Sequence, residues 1–204
     1  MSLKTTLFII LFTAIVRPTY ATEAPTPVGL EYCTVCHGSQ LKGNVNLGAP
    51  RLSGLSQWYV KRQLLNFKQG IRGAHAEDLP GSEMQSMVTH LSDKDIGAIA
   101  QWIGQTESPH PQATIGGDLA AGKSLYQGCA GCHNGDASGN ETLGAPSLRG
   151  LNDWYLLTQI NHFRLGIRGS ESGDVYGQQM QVASSLVTTE IDAADLAAYI
   201  SQLN

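Results

Sequence analysis

The chain has 204 residues, room for one or two small domains. Its 13 Lys and Arg stand against 17 Asp and Glu, a net charge of −4. That balance disfavours nucleic acid and anionic membrane surfaces as partners.

The N-terminus reads as a secretory signal over residues 1–21. Lys4 supplies the positive start, Leu7 to Val16 the apolar run, and Thr19-Tyr20-Ala21 the small-residue cleavage site. Cleavage is expected after Ala21, with Ala24 as second choice; an uncleaved N-terminal anchor is the alternative. The run of about ten residues is short for a bilayer, and no other segment is apolar enough to cross one. Losing Lys4 and Arg17 leaves 11 basic residues against 17 acidic ones, so the exported chain is more acidic still.

Next comes Cys33-Thr34-Val35-Cys36-His37, a CxxCH motif, repeated downstream as Cys129-Ala130-Gly131-Cys132-His133. The two motifs take all four cysteines, so none remains for a structural disulfide. In this pattern two thiols can each add to a haem vinyl group, and the adjacent His reaches the iron. A zinc ribbon would space its pairs by roughly 15–20 residues, far less than the gap here, and a thioredoxin-like pair would sit in a βαβ context that is missing.

Between the motifs the pattern is helical. Ser56 to Lys68 carries Tyr59, Val60, Leu64 and Phe67 at helical spacing, and Gly70 is a plausible stop. Ser92 with Asp95 forms an approximate capping box for a helix bearing Ile96, Ile99, Ala100 and Ile103. Gly104 to Gly117 has the Pro, Gly and polar composition of a linker. Ala120 to Gln127 predicts a helix leading into the second CxxCH, and Thr188 or Thr189 starts the last one. The first copy has only Pro25, Pro27 and a few more residues before Cys33, so its leading helix is expected to be truncated, with Trp102 filling part of the space.

Shifted by 96 residues, the chain matches itself. Cys33 to Met84 aligns without gaps on Cys129 to Met180, and roughly 23 of the 52 pairs are identical. A period this long is a whole domain, not a solenoid unit. The expected division is signal 1–21, first domain 22–107, linker 108–117 and second domain 118–204. Such small domains have limited cores, and a buried haem would add apolar volume.

The repeat also selects iron ligands. His37 and His133 are proximal by their place in CxxCH. Met180 maps onto Met84, whereas Met87 maps onto Ala183, which cannot bind iron. Met84 and Met180 each follow a Gly-containing segment, Pro80-Gly81 and Tyr176-Gly177, read as a loop over the haem face. His75, His90 and His110 have no histidine partner in the other copy, and His162 replaces Asn66. His/Met ligation raises the potential and fills the sixth position, which points to an electron carrier, not an enzyme.

The double CxxCH, the Leu47-Gly48-Ala49-Pro50 and Leu143-Gly144-Ala145-Pro146 segments, the Trp58-Tyr59 and Trp154-Tyr155 helices and the late methionines resemble the diheme class I cytochromes c of the c4 type. The resemblance implies an all-α fold of two tandem haem domains, each with one covalent haem c. It implies that the carbonyls of Pro50 and Pro146 orient His37 and His133. It also implies that Arg72 and Arg168 pair with haem propionates and that Trp58, Tyr59, Trp154 and Tyr155 line haem edges. The shared Gly70-Ile71-Arg72-Gly73 and Gly166-Ile167-Arg168-Gly169 stretches also resemble c-type domains fused to terminal-oxidase subunits.

The implied function is a periplasmic diheme carrier in a respiratory chain. A quinol-oxidising complex or a dehydrogenase would be the donor and a terminal oxidase the acceptor, with peripheral membrane association as a further option. Alternatives are the cytochrome subunit of a periplasmic dehydrogenase complex, or a small diheme oxidoreductase with an open iron site. The truncated leader predicts a more exposed first haem of lower potential.

Overall fold

Local signals set most helix boundaries. The computed structural model describes residues 26–27 and 29–203, so the signal segment lies outside it. Near the N-terminus, α1 (Tyr32–His37), α2 (Gln57–Lys68), α3 (Leu79–Val88) and α4 (Asp93–Gln105) form one helical cluster. A second holds α5 (Leu119–Tyr126), α6 (Ala130–His133), α7 (Asp153–Arg164), α8 (Val175–Ser184) and α9 (Glu190–Ile200). Among the described residues the only β pairings are the isolated bridges Asn44–Ala49 and Asn140–Ala145. The fold is therefore all-α with two tandem domains.

The capping box at Ser92 is complete: its hydroxyl accepts from Asp95 N–H, and the Asp95 carboxylate accepts from Ser92 N–H. Thr189 and Asp192 do the same for α9. Asp118 caps α5, accepting from Ala120 at 2.8 Å and Ala121 at 3.1 Å. α2 ends at Lys68, and Gly70 follows with φ +71.

The first core gathers Val60, Leu64 and Phe67 of α2 against Ile96, Ile99, Trp102 and Ile103 of α4, with Met84 packed at its edge. The second gathers Tyr126, Leu156, Ile160, Leu196, Ala197 and Ile200. Burying each such side chain contributes about 1.5–3 kcal/mol. The fronts differ as expected. In the second domain α5 packs on α9, whereas in the first no helix precedes α1 among the described residues. Leu30 and Trp102 are buried in the first core, with Tyr32 and Cys33 packed against it.

One expectation is corrected. Pro80-Gly81 and Tyr176-Gly177 are not loops but the first turns of α3 and α8, so both methionines are carried by helices. Asp78 and Asp174 cap those helices, accepting from Gly81 N–H at 3.0 Å and Gly177 N–H at 2.9 Å. The glycines are needed for close approach: a Cβ on Gly81 would lie 2.2 Å from the Asp78 carboxylate. Pro80 is tolerated because the first-turn N–H it lacks has no intrahelical partner. No helix among the described residues is long and apolar enough to cross a membrane.

Candidate functional site

Each CxxCH closes a short helix with its histidine at the end. His37 and His133 are 5% and 4% exposed. His37 Nδ1 lies 2.7 Å from the Pro50 carbonyl and His133 Nδ1 lies 2.9 Å from that of Pro146. A ring that donates from Nδ1 leaves the Nε2 lone pair free for a metal. Burial pushes both histidines below their ordinary pKa, only partly offset by the proline carbonyls. They are therefore neutral, as ligation requires.

The prolines are held by a compact loop. Asn44 and Ala49 exchange two backbone hydrogen bonds, 2.7 and 3.1 Å, around a 3₁₀ turn at Val45–Leu47 that ends at Gly48, φ +62. Asn140 and Ala145 repeat this at 2.7 and 2.9 Å. Gly43 N–H donates to the His37 carbonyl at 2.9 Å, so the loop is tied back to its own CxxCH.

Cys33 and Cys129 are half-buried, and Cys36 and Cys132 are exposed. Burial raises the Cys33 thiol to about 11 and also raises Cys129. Reactive redox thiols have lowered values, so these are poor exchange nucleophiles. Met84 and Met180 are partly buried at matching places on α3 and α8. Met87 is 42% exposed, which suits its exclusion as a ligand.

The arginines sit where the two domains meet. Arg72 donates to Gln63 Oε1 at 2.8 Å, to the Tyr155 hydroxyl at 2.8 Å and to Gln159 Oε1 at 3.2 Å. Arg168 mirrors it, donating to Gln159 Oε1 at 2.6 Å, Gln63 Oε1 at 2.8 Å and the Tyr59 hydroxyl at 3.5 Å. Each glutamine oxygen thus accepts from the arginines of both domains. Burial alone would raise the Tyr59 phenol, but Arg168 and Arg72 beside it hold it below its ordinary value. Trp58 packs edge-on against Tyr59 at 5.8 Å, and Trp154 against Tyr155 at 6.0 Å. The sequence reading placed these tyrosines and arginines around haem but missed the cross-domain contacts. Gln63 and Gln159 were legible only as an identical polar pair in the repeat.

The residues fit two haem groups. Among the described residues the buried Nε atoms of Arg62, Arg72 and Arg168 have no hydrogen-bond partner, and the side-chain hydrogen bonds of Arg72 and Arg168 go to neutral acceptors. Buried guanidinium groups left this way call for anionic acceptors, which haem propionates would supply. Two CxxC pairs, two buried histidines freed at Nε2 and this cationic seam define a tandem c-type haem protein.

Comparison with known proteins agrees. The cytochrome c family model matches residues 28–107 and 119–204. The thiosulfate dehydrogenase electron acceptor of Thiomonas intermedia (strain K12) is 30% identical over 85% of this chain and 80% of its own length. Cytochrome c4 of Thiocapsa roseopersicina is 28% identical over 79% of this chain and 82% of its own. The crystal structure of reduced cytochrome c4 from Pseudomonas stutzeri superposes with a TM-score of 0.65 at 26% identity, covering 85% of this chain and 94% of that one. The chain belongs to the cytochrome c family, in its diheme c4-type class. It carries two covalent haem c groups, one per domain, and transfers electrons.

Proposed function

We propose that the protein is a periplasmic electron carrier in a respiratory chain, delivering electrons towards a terminal oxidase. The supporting observation is the duplicated geometry: in both domains a buried CxxCH histidine bonds a proline carbonyl through Nδ1, and a methionine-bearing helix sits at the same 96-residue offset. In this reading Cys33, Cys36, Cys129 and Cys132 form the thioether links. His37 with Met84 would hold one haem iron, and His133 with Met180 the other. Bound haem supplies a one-electron couple whose potential is raised by the thioether ligand. Pro50 and Pro146 fix the histidine rings and raise their basicity. Arg72 and Arg168 hold propionates at the seam, with Tyr59 and Tyr155 orienting them across it. The domains run over 22–107 and 118–204, and 108–117 links them. The exported form lacks residues 1–21.

A second reading concerns the donor. The Thiomonas intermedia relative is named as an acceptor for thiosulfate dehydrogenase, which supports a periplasmic dehydrogenase as electron source here. The two readings are compatible, because one names the donor and the other the acceptor.

Carbon monoxide added to the fully reduced holoprotein tests the ligand set. The expected result is no prompt change in the visible absorption spectrum, because both sixth positions are filled. A prompt shift at either haem would indicate an open iron and overturn the carrier reading at that site.

A further inference from the structure

We propose that Arg62 of the first domain is a positioning residue for the second haem site, holding both sides of that pocket from across the seam. Its Nη2 donates to the Gly144 carbonyl at 2.7 Å. Gly144 belongs to the loop whose Pro146 carbonyl meets His133. The same guanidinium lies 4.3 Å from the centre of the Tyr176 ring, with Trp58 at 4.9 Å and Tyr59 at 5.5 Å. Tyr176 is in the first turn of α8, one turn before Met180. One cation therefore touches the histidine-side loop and the methionine-bearing helix together. Asp174, the cap of α8, also attracts it.

The stack beneath Arg62 is tight. A Cβ on Gly144 would lie 2.2 Å from the Tyr176 ring, so only glycine lets the ring lie on the loop. A half-buried cation between aromatic faces, with a charge-assisted bond to a carbonyl, resists displacement.

The first site is held across the seam by other groups: Arg51 N–H, next to Pro50, donates to Asn152 Oδ1 at 2.7 Å, and His162 lies 3.8 Å from Asp78, the cap of α3. The repeat places Thr158 opposite Arg62 and Pro80 opposite Tyr176. The Thr158 hydroxyl bonds the Trp154 carbonyl of its own helix at 2.9 Å and does not cross the seam. A Cβ on Gly48 would lie 3.3 Å from the Pro80 ring, where the second site has Tyr176. Docking of the domains thus holds both sites, the second through one cation that reaches both sides of its pocket.

This inference rests on Met180 being the sixth ligand of the second haem. Its test is the rate of carbon monoxide binding to the reduced holoprotein. Each haem is read in the background where the other methionine is replaced, Met84→His for the second site and Met180→His for the first. In Arg62→Thr, which installs the residue of the mirrored position, the second haem is expected to bind carbon monoxide at least tenfold faster, with the first unchanged. Tyr176→Leu, which leaves the cation in place, should give part of that acceleration and add little to Arg62→Thr. Second-haem rates within twofold of the parent, or equal acceleration at both haems, would overturn the proposal. If Met180→His leaves the second haem's spectrum unaltered, the ligand assignment itself falls and the inference with it. An altered spectrum with unaltered rates sinks the inference alone.

Discussion

Asp153 shows how a single carboxylate fixes the linker. It is 1% exposed, at the start of α7. It accepts from Thr114 N–H, from Ile115 N–H at 2.6 Å, from the Thr114 hydroxyl at 2.8 Å and from Trp154 N–H at 2.8 Å. Arg51 secures the other end, donating to the Ser108 carbonyl at 2.8 Å and also to the Ser108 hydroxyl and the Pro109 carbonyl. Burial would raise the Asp153 pKa, but the donors from Ile115, Thr114 and Trp154 outweigh it and hold it below the ordinary aspartate value. A lowered folded-state value adds stability that is present above the unfolded pKa near 4 and is lost as pH falls below it. Asp153→Asn should cost about 2 kcal/mol at neutral pH, because an amide nitrogen must then face backbone donors. Thermal unfolding should show that deficit shrinking as pH drops from about 5 towards 3; a deficit independent of pH would refute the assignment. The sequence carried no sign of this clamp. Its repeat-mate is Gln57, and a contact between a linker and a distant helix start leaves no periodic trace.

At the scale of elements, the two copies diverge where α5 crosses α9. Gly122 makes the crossing close: a Cβ there would sit 2.1 Å from the Asp195 carbonyl, which is backbone and cannot turn aside. Tyr126 lies beneath, fully buried, its hydroxyl donating to the Asn134 carbonyl at 2.7 Å and its ring 5.7 Å from that of Tyr199. Gly122→Ala would gain up to about 1 kcal/mol of helix propensity, yet overpacking costs about 1–3 kcal/mol. Denaturant unfolding should therefore show a net loss confined to the second domain, and a stabilised variant would contradict the packing described. Helix positions were readable because caps and apolar spacing are local: Ser92 with Asp95 announces α4, and the Ala120 to Gln127 run announces α5. The starts of α3 and α8 were not, because Pro80-Gly81 and Tyr176-Gly177 look like turn chemistry until Asp78 and Asp174 are seen to cap them. In the first domain, Trp102 is buried in the core, the residue that the sequence expected to fill part of the space left by the missing leader.

For the whole molecule, the seam is the feature that duplication alone did not disclose. Gln63 and Gln159 each join Arg72 to Arg168, so the two guanidinium groups form one cationic unit serving both domains. The sequence marked the CxxCH motifs and the methionines because ligand chemistry demands particular residues at particular spacings. A glutamine that crosses between domains is set by docking, which has no period. His162, which breaks the symmetry, lies 3.8 Å from Asp78 across the same seam. If the arginines hold propionates of both haems, a charge placed between them must act on both. Gln63→Glu adds one negative charge in contact with both arginines. Negative charge favours the oxidised iron, so both midpoint potentials should fall, by about 30–60 mV, where 59 mV is a tenfold change for one electron. Potentiometric titration, with the haems assigned through Met84→His and Met180→His, checks this and orders the two sites. The first haem, with no helix equivalent to α5 ahead of its CxxCH among the described residues, is expected to be the lower of the pair. A fall at the first haem alone would mean that each arginine serves only its own domain; a higher first potential would mean that the missing helix does not govern its exposure.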